Sequence, residues 1–128
     1  MKKAILVFLA LIVLGGAFVV LKPNTQQLDK SKHSAKTLPS TQAFELVIRD
    51  RKLVTGSALI NVAEGDDVTI DITDNEDEEF HLHGYDISVD LQKDRPTQLH
   101  FVAKLTGNFS FELEKSKTEL GSVQVQPN

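Results

Sequence analysis

The most constraining feature of this sequence is a period-two alternation of apolar and polar residues that begins at Phe44 and runs almost to the C-terminus. Phe44, Leu46 and Ile48 alternate with Glu45, Val47 and Arg49. The same rhythm returns at Ala58/Ile60/Val62, Val68/Ile70/Ile72, Ile87/Val89/Leu91, Leu99/Phe101/Ala103, Phe109/Phe111/Leu113 and Val123/Val125. Successive side chains of a strand point to opposite faces, so each run makes one apolar face that must be covered by another layer. Turn residues separate the runs: Thr55-Gly56, Glu64-Gly65-Asp66, Lys93-Asp94-Arg95-Pro96, Thr106-Gly107-Asn108 and Leu120-Gly121. Phe80 to Tyr85 is apolar or imidazole at nearly every position and reads as a strand covered on both faces. About seven or eight short strands at near-regular spacing predict an all-β sandwich. No useful helical periodicity follows residue 22.

The first 43 residues are of another kind. Two lysines precede an unbroken run of apolar residues and glycine from Ala4 to Leu21. As a helix that run is about 27 Å long, close to the thickness of a bilayer core. Cleavage at Gly15-Gly16-Ala17 would leave Phe18-Val19-Val20-Leu21 as an exposed apolar start, so the run reads as an uncleaved transmembrane anchor, with a cleaved signal peptide as the alternative. Lys2 and Lys3 put its N-terminus in the cytoplasm. The expected location is the inner membrane, single-pass, with the domain in the periplasm or extracytoplasmic space; cleavage would make it secreted or periplasmic. Residues 22–43, rich in Lys, Gln, Ser and Thr, read as a flexible linker to a domain over 44–128. His33 reads as a solvated linker residue.

Charge and cysteine content narrow the function classes. Six Lys and one Asp fall in residues 1–43, whereas residues 44–128 hold seventeen Asp and Glu against eight Lys and Arg. Nucleic acid is thereby excluded as a partner of the domain, since it rewards clustered cations. There is no cysteine, which removes disulfides, thiol catalysis, iron–sulfur clusters and the thiolate of a blue copper centre. No Gly-x-Ser-x-Gly, P-loop, dinucleotide glycine fingerprint or His-Glu-x-x-His occurs, so the chain is expected not to be an enzyme.

The segment Ile60-Asn61-Val62-Ala63-Glu64-Gly65-Asp66-Asp67-Val68-Thr69-Ile70 resembles the cupredoxin-like family. So do Asp77–Asp86, with its His81-Leu82-His83-Gly84-Tyr85-Asp86 stretch, and Gly107–Glu114 followed by Leu120–Val125. The similarity is to the bacterial exported cupredoxin-like group and to the cupredoxin domain of EfeO-type iron-uptake proteins. It implies a Greek-key β-sandwich. Electron-carrying members supply a His followed by Cys, His and Met. His81 matches the first of these, but the other three positions fall near Leu113, Ser116 and Leu120. The resemblance therefore implies the fold without blue-copper electron transfer.

The candidate chemistry rests on His81 and His83. Two residues apart on a strand, they present both imidazoles on one face, with Tyr85 behind them, and can chelate copper or another divalent metal. Candidate third ligands are His100, Glu79, Asp86, or Glu112 and Glu114. Buried structural histidines are the alternative. The loop Asp74-Asn75-Glu76-Asp77-Glu78-Glu79 lacks calcium-loop spacing and reads as a solvated acidic turn. The expected function is a membrane-tethered extracytoplasmic binding module whose partner is a metal ion or an envelope protein. The alternative is a structural or protein-interaction domain without metal.

Overall fold

The computed structural model describes residues 38–128. The Ala4–Leu21 run, most of the linker and His33 lie outside the described residues. Among the described residues no helix is long and apolar enough to cross a membrane.

Among the described residues nine strands form two sheets: β1 (Thr41–Arg49), β2 (Lys52–Thr55), β3 (Leu59–Ala63), β4 (Asp67–Asp74), β5 (Glu78–Leu82), β6 (Ile87–Leu91), β7 (Thr97–Val102), β8 (Gly107–Leu113) and β9 (Thr118–Gln126). The four-stranded sheet has the order β2-β1-β4-β7 and the five-stranded sheet β3-β9-β8-β5-β6. β1 pairs with β4, and β3 with β9, in parallel; the other pairings are antiparallel. The inward residues of the alternating runs make one core between the sheets. Leu46, Ile48, Val68, Ile70, Ile72, Leu99 and Phe101 come from one side, and Ile60, Phe80, Leu82, Leu91, Phe111, Leu113, Val123 and Val125 from the other. Phe80 and Phe111 stack with ring centroids 5.3 Å apart, a favoured aromatic spacing.

The structure departs from the sequence reading in four places. β1 starts at Thr41, inside the segment read as linker. Ser40 is tied down as well, with its backbone N–H and its hydroxyl both donating to Asp66 Oδ1, at 2.8 and 2.9 Å.

β2 has no counterpart among the expected strands. Its hairpin turns on Asp50 and Arg51, both at positive φ (51° and 62°), where glycine or asparagine is usual. The turn is held from a distance: the Asp50 N–H donates to Asn75 Oδ1 at 2.9 Å, and Asn75 Nδ2 donates to Asp50 Oδ1 at 3.1 Å.

The strand expected over Phe80–Tyr85 ends at Leu82, because Gly84 and Asp86 take positive φ in the turn that follows. Its outer face is half-exposed rather than covered.

The acidic turn is not wholly solvated. Asp74 ends β4 and Glu78 begins β5 on their inward-facing positions, and both are buried.

Candidate metal centre

The site grows out of one strand pair. On β5, Glu78, Phe80 and Leu82 face the core, so Glu79, His81 and His83 face outward. On β8, Phe111 and Leu113 face the core, so Glu112 and Glu114 face outward. Antiparallel register sets His81 opposite Glu112. The N–H of His83 donates to Ser110 O, and that of Glu114 to Glu79 O, which extends the pairing past both strand ends. Direct cross-strand neighbours and diagonal ones are both within reach on such a face. The contacts here run diagonally: His83 Nε2 lies 3.0 Å from Glu112 Oε1, and His81 Nδ1 lies 3.4 Å from Glu114 Oε2.

His81, His83, Glu112 and Glu114 each offer one ligand atom, and these atoms lie within 4.8 Å of one another. The two imidazole rings sit 4.3 Å apart at 41°. The side chains are 22%, 43%, 22% and 33% exposed in that order, so the group is open to solvent on one side. At the rim, Asp86 Oδ1 stands 3.7 Å from His81 Nε2 on a side chain almost free in solvent. Lys117 Nζ donates to Glu114 Oε1. That ammonium first, and the His81 ring after it, holds the Glu114 carboxyl down at about 2. The same bond raises the Lys117 pKa. Glu114 therefore stays an anion, with Oε1 on Lys117 and Oε2 toward His81.

Two imidazole nitrogens and two carboxylate oxygens make a donor set of intermediate softness, suited to Cu(II), Zn(II), Ni(II) or Fe(II). Copper in a blue site does not fit, because thiolate is missing from the chain. Copper held by nitrogen and oxygen does fit.

The other expected residues fall elsewhere. His100 stands on β7, in the opposite sheet, with its Nε2 against Asp67 Oδ1. It does not join His81 and His83, because β7 pairs with β4 and shares no ladder with β5. Glu79 shares the outer face but lies outside the four-residue group. Tyr85 is not behind the histidines. Past the Gly84 turn its ring packs on Phe101 and Phe109, at 4.9 Å from each, and its hydroxyl donates to Leu105 O at 2.9 Å. Leu113, near the position of the family's cysteine, is a fully buried core residue.

Lys117 was not foreseen. Glu112 and Glu114 were two candidates among several. Their alternation with Phe111 and Leu113 marks them as outward-facing, but only strand pairing shows what they face.

No protein-family model and no curated protein matches this chain. Solved structures do. The apo form of a copper binding protein, determined by solution NMR, superposes with a TM-score of 0.57 at 14% identity, over 67% of this chain and 88% of that one. A chain of a heme–copper terminal oxidase dimer gives 0.54 at 14% identity, over 98% and 100%. The blue copper oxidase from Nitrosomonas europaea gives 0.52 at 18% identity, over 70% of this chain and 39% of that one. This chain thus spans well under half of that oxidase. The fold is a cupredoxin-like Greek-key β-sandwich.

Proposed function

We propose that this chain is a non-enzymatic, membrane-tethered extracytoplasmic module that holds a divalent metal, copper first, on the outer face of its five-stranded sheet. The observation that carries this reading is the convergence of His81, His83, Glu112 and Glu114 within 4.8 Å. Copper comes first because the structural neighbours include a copper binding protein and a blue copper oxidase. Iron is the second metal, from the resemblance to EfeO-type iron-uptake proteins. The half-open face favours loading and release of the ion over a sealed electron-transfer centre, since strong redox tuning relies on a shielded shell around the metal. The apolar run Ala4–Leu21 supports tethering.

A second reading has its own support. Each histidine already has a carboxylate partner, His83 with Glu112 and His81 with Glu114, so the four groups also satisfy one another in a structural or protein-interaction domain without metal.

Titration of the full-length chain in detergent with Cu(II), Zn(II) and Fe(II), followed by calorimetry, separates the two. Saturable one-to-one binding that is lost in His81→Ala and in His83→Ala, and kept in His100→Ala, establishes the metal reading. Unchanged affinity with a lowered Tm in the same variants establishes the structural one.

A further inference from the structure

Three acidic side chains are buried in this domain: Asp66, Asp74 and Glu78. Their surroundings differ. Asp66 accepts from Ser40 N, Ser40 Oγ and Ala63 N, so both of its oxygens are bonded. Asp74 Oδ1 accepts from the N–H of Glu76 at 3.1 Å, but Asp74 Oδ2 has no hydrogen-bond partner among the described residues. Neither does Glu78 Oε2.

These two residues occupy inward positions on opposing sheets. Asp74 continues the buried series Val68, Ile70, Ile72 on β4, and Glu78 begins the buried series Phe80, Leu82 on β5. They close one end of the core, 1% and 3% exposed.

The arginines of the flanking turns are committed elsewhere. On the β1–β2 side, Arg49 pairs with Asp94 and Arg51 with Glu76. In the 92–95 turn, Arg95 donates to Gln92 Oε1, and the N–H of Lys93 donates to Asp77 Oδ1. Lys93 itself lines an open surface hollow with Asp77, Asp90 and Lys115. Among the described residues no Lys, Arg or His forms an ion pair with Asp74 or Glu78. Among the described residues the one group of three or more metal-ligating residues lies on the outer face and includes neither.

An ionised carboxylate buried without a cation or a donor is strongly disfavoured, and such groups take up a proton instead. We propose that Asp74 takes up a proton from solvent as the chain folds, with Glu78 buried at the same end of the core, and that loss of this proton as pH rises loosens the end of the sandwich they close. The bound proton removes the Asp74 charge from the core and turns one of its oxygens into a donor. Burial pushes the Asp74 pKa up, and the Glu76 and Glu78 charges add to this against the bonds from Glu76 N and Asn75 N. A group whose pKa is raised on folding stabilises the fold in full below its unfolded value, and that contribution is lost as pH rises through the folded value. The structure this proton guards includes the β1–β2 turn, since Asn75, next to Asp74, holds Asp50, and the N–H of Asp94 donates to Asp74 O.

The test uses the full-length chain in detergent. Infrared difference spectra should show a protonated-carboxyl carbonyl band in the wild type just above the ordinary carboxylate range, at about pH 5, that is missing from Asp74→Asn. As pH rises from about 4, the unfolded value, the wild-type Tm should fall further than that of Asp74→Asn, so that the variant becomes the more stable protein at the higher end. Comparing the two proteins cancels the histidines, which both share. Absence of that acid band, with a wild-type to Asp74→Asn difference that stays constant at every pH, overturns the proposal. So does a saturable rise in wild-type Tm with Ca(II) that Glu78→Gln abolishes, because the pair would then hold a cation and not a proton.

Discussion

Replacing Asp66 with asparagine tests how the domain is closed at its N-terminal edge. The carboxylate is 3% exposed and accepts three hydrogen bonds: Ser40 N and Ser40 Oγ on Oδ1, at 2.8 and 2.9 Å, and Ala63 N on Oδ2 at 2.9 Å. Asparagine keeps the shape but turns one oxygen into an NH2 donor. Whichever way the amide faces, at least one backbone N–H then meets a donor. A hydrogen bond to a charged group is worth about 1.5–3 kcal/mol, and leaving a buried donor unpaired costs about 1–3 kcal/mol. These overlap, so a loss of about 2–4 kcal/mol is expected. At about 4–8 °C per kcal/mol for a domain of this size, Tm should drop by roughly 10–30 °C.

The pH dependence gives a second readout. Bonds from the Ala63 and Ser40 backbone and the Ser40 hydroxyl hold the Asp66 pKa below its ordinary value, against the opposing effect of burial, with the Ala63 bond the largest cause. A depressed folded pKa gives stability that is present above the unfolded value and lost as pH falls through the folded one. The gap between wild type and Asp66→Asn should therefore be widest near neutrality and narrow below about pH 4. Urea unfolding of both proteins at several pH values measures it. A gap under about 0.5 kcal/mol, the range of ordinary surface changes, would refute the reasoning. So would a gap that stays constant down to acid pH.

Gly84→Ala should destabilise by about 2–5 kcal/mol, from a left-handed backbone together with overpacking. Gly84 has φ of 80°, and a Cβ there would lie 2.3 Å from Phe109 Cδ1. Because His83 enters this turn, weaker metal binding should accompany the drop in Tm, checked by melting and titration on one sample. The copper-loaded chain should lack the intense visible absorption of a thiolate-bound centre, since no cysteine exists to supply it; a strong blue colour would contradict the donor set. Full-length protein should fractionate with membranes, and protease added to spheroplasts should remove the domain. Recovery of a soluble form beginning near Phe18 would show signal cleavage instead.

Much of this protein is legible in one dimension. Period-two alternation decides which side chains face the core, because strand geometry assigns faces locally. Leu46, Ile48, Val68, Ile70, Ile72, Phe111 and Leu113 are all inward, as their spacing requires. Cysteine content alone excludes a blue copper site. That His81 and His83 share a face also follows from spacing. What period-two spacing does not contain is the partner strand. Pairing is a contact between distant segments, and any outward carboxylate on any strand satisfies the same pattern. The β5–β8 register chose Glu112 and Glu114 for the histidine face, and the β4–β7 ladder carried His100 into the other sheet against Asp67. The same nonlocality holds Asp50 and Arg51 at positive φ through Asn75. It also turns Asp74 and Glu78 inward: a run of acidic residues looks solvated in sequence, and only the strand ends on either side, continuing their own alternation, bring its first and fifth members into the core.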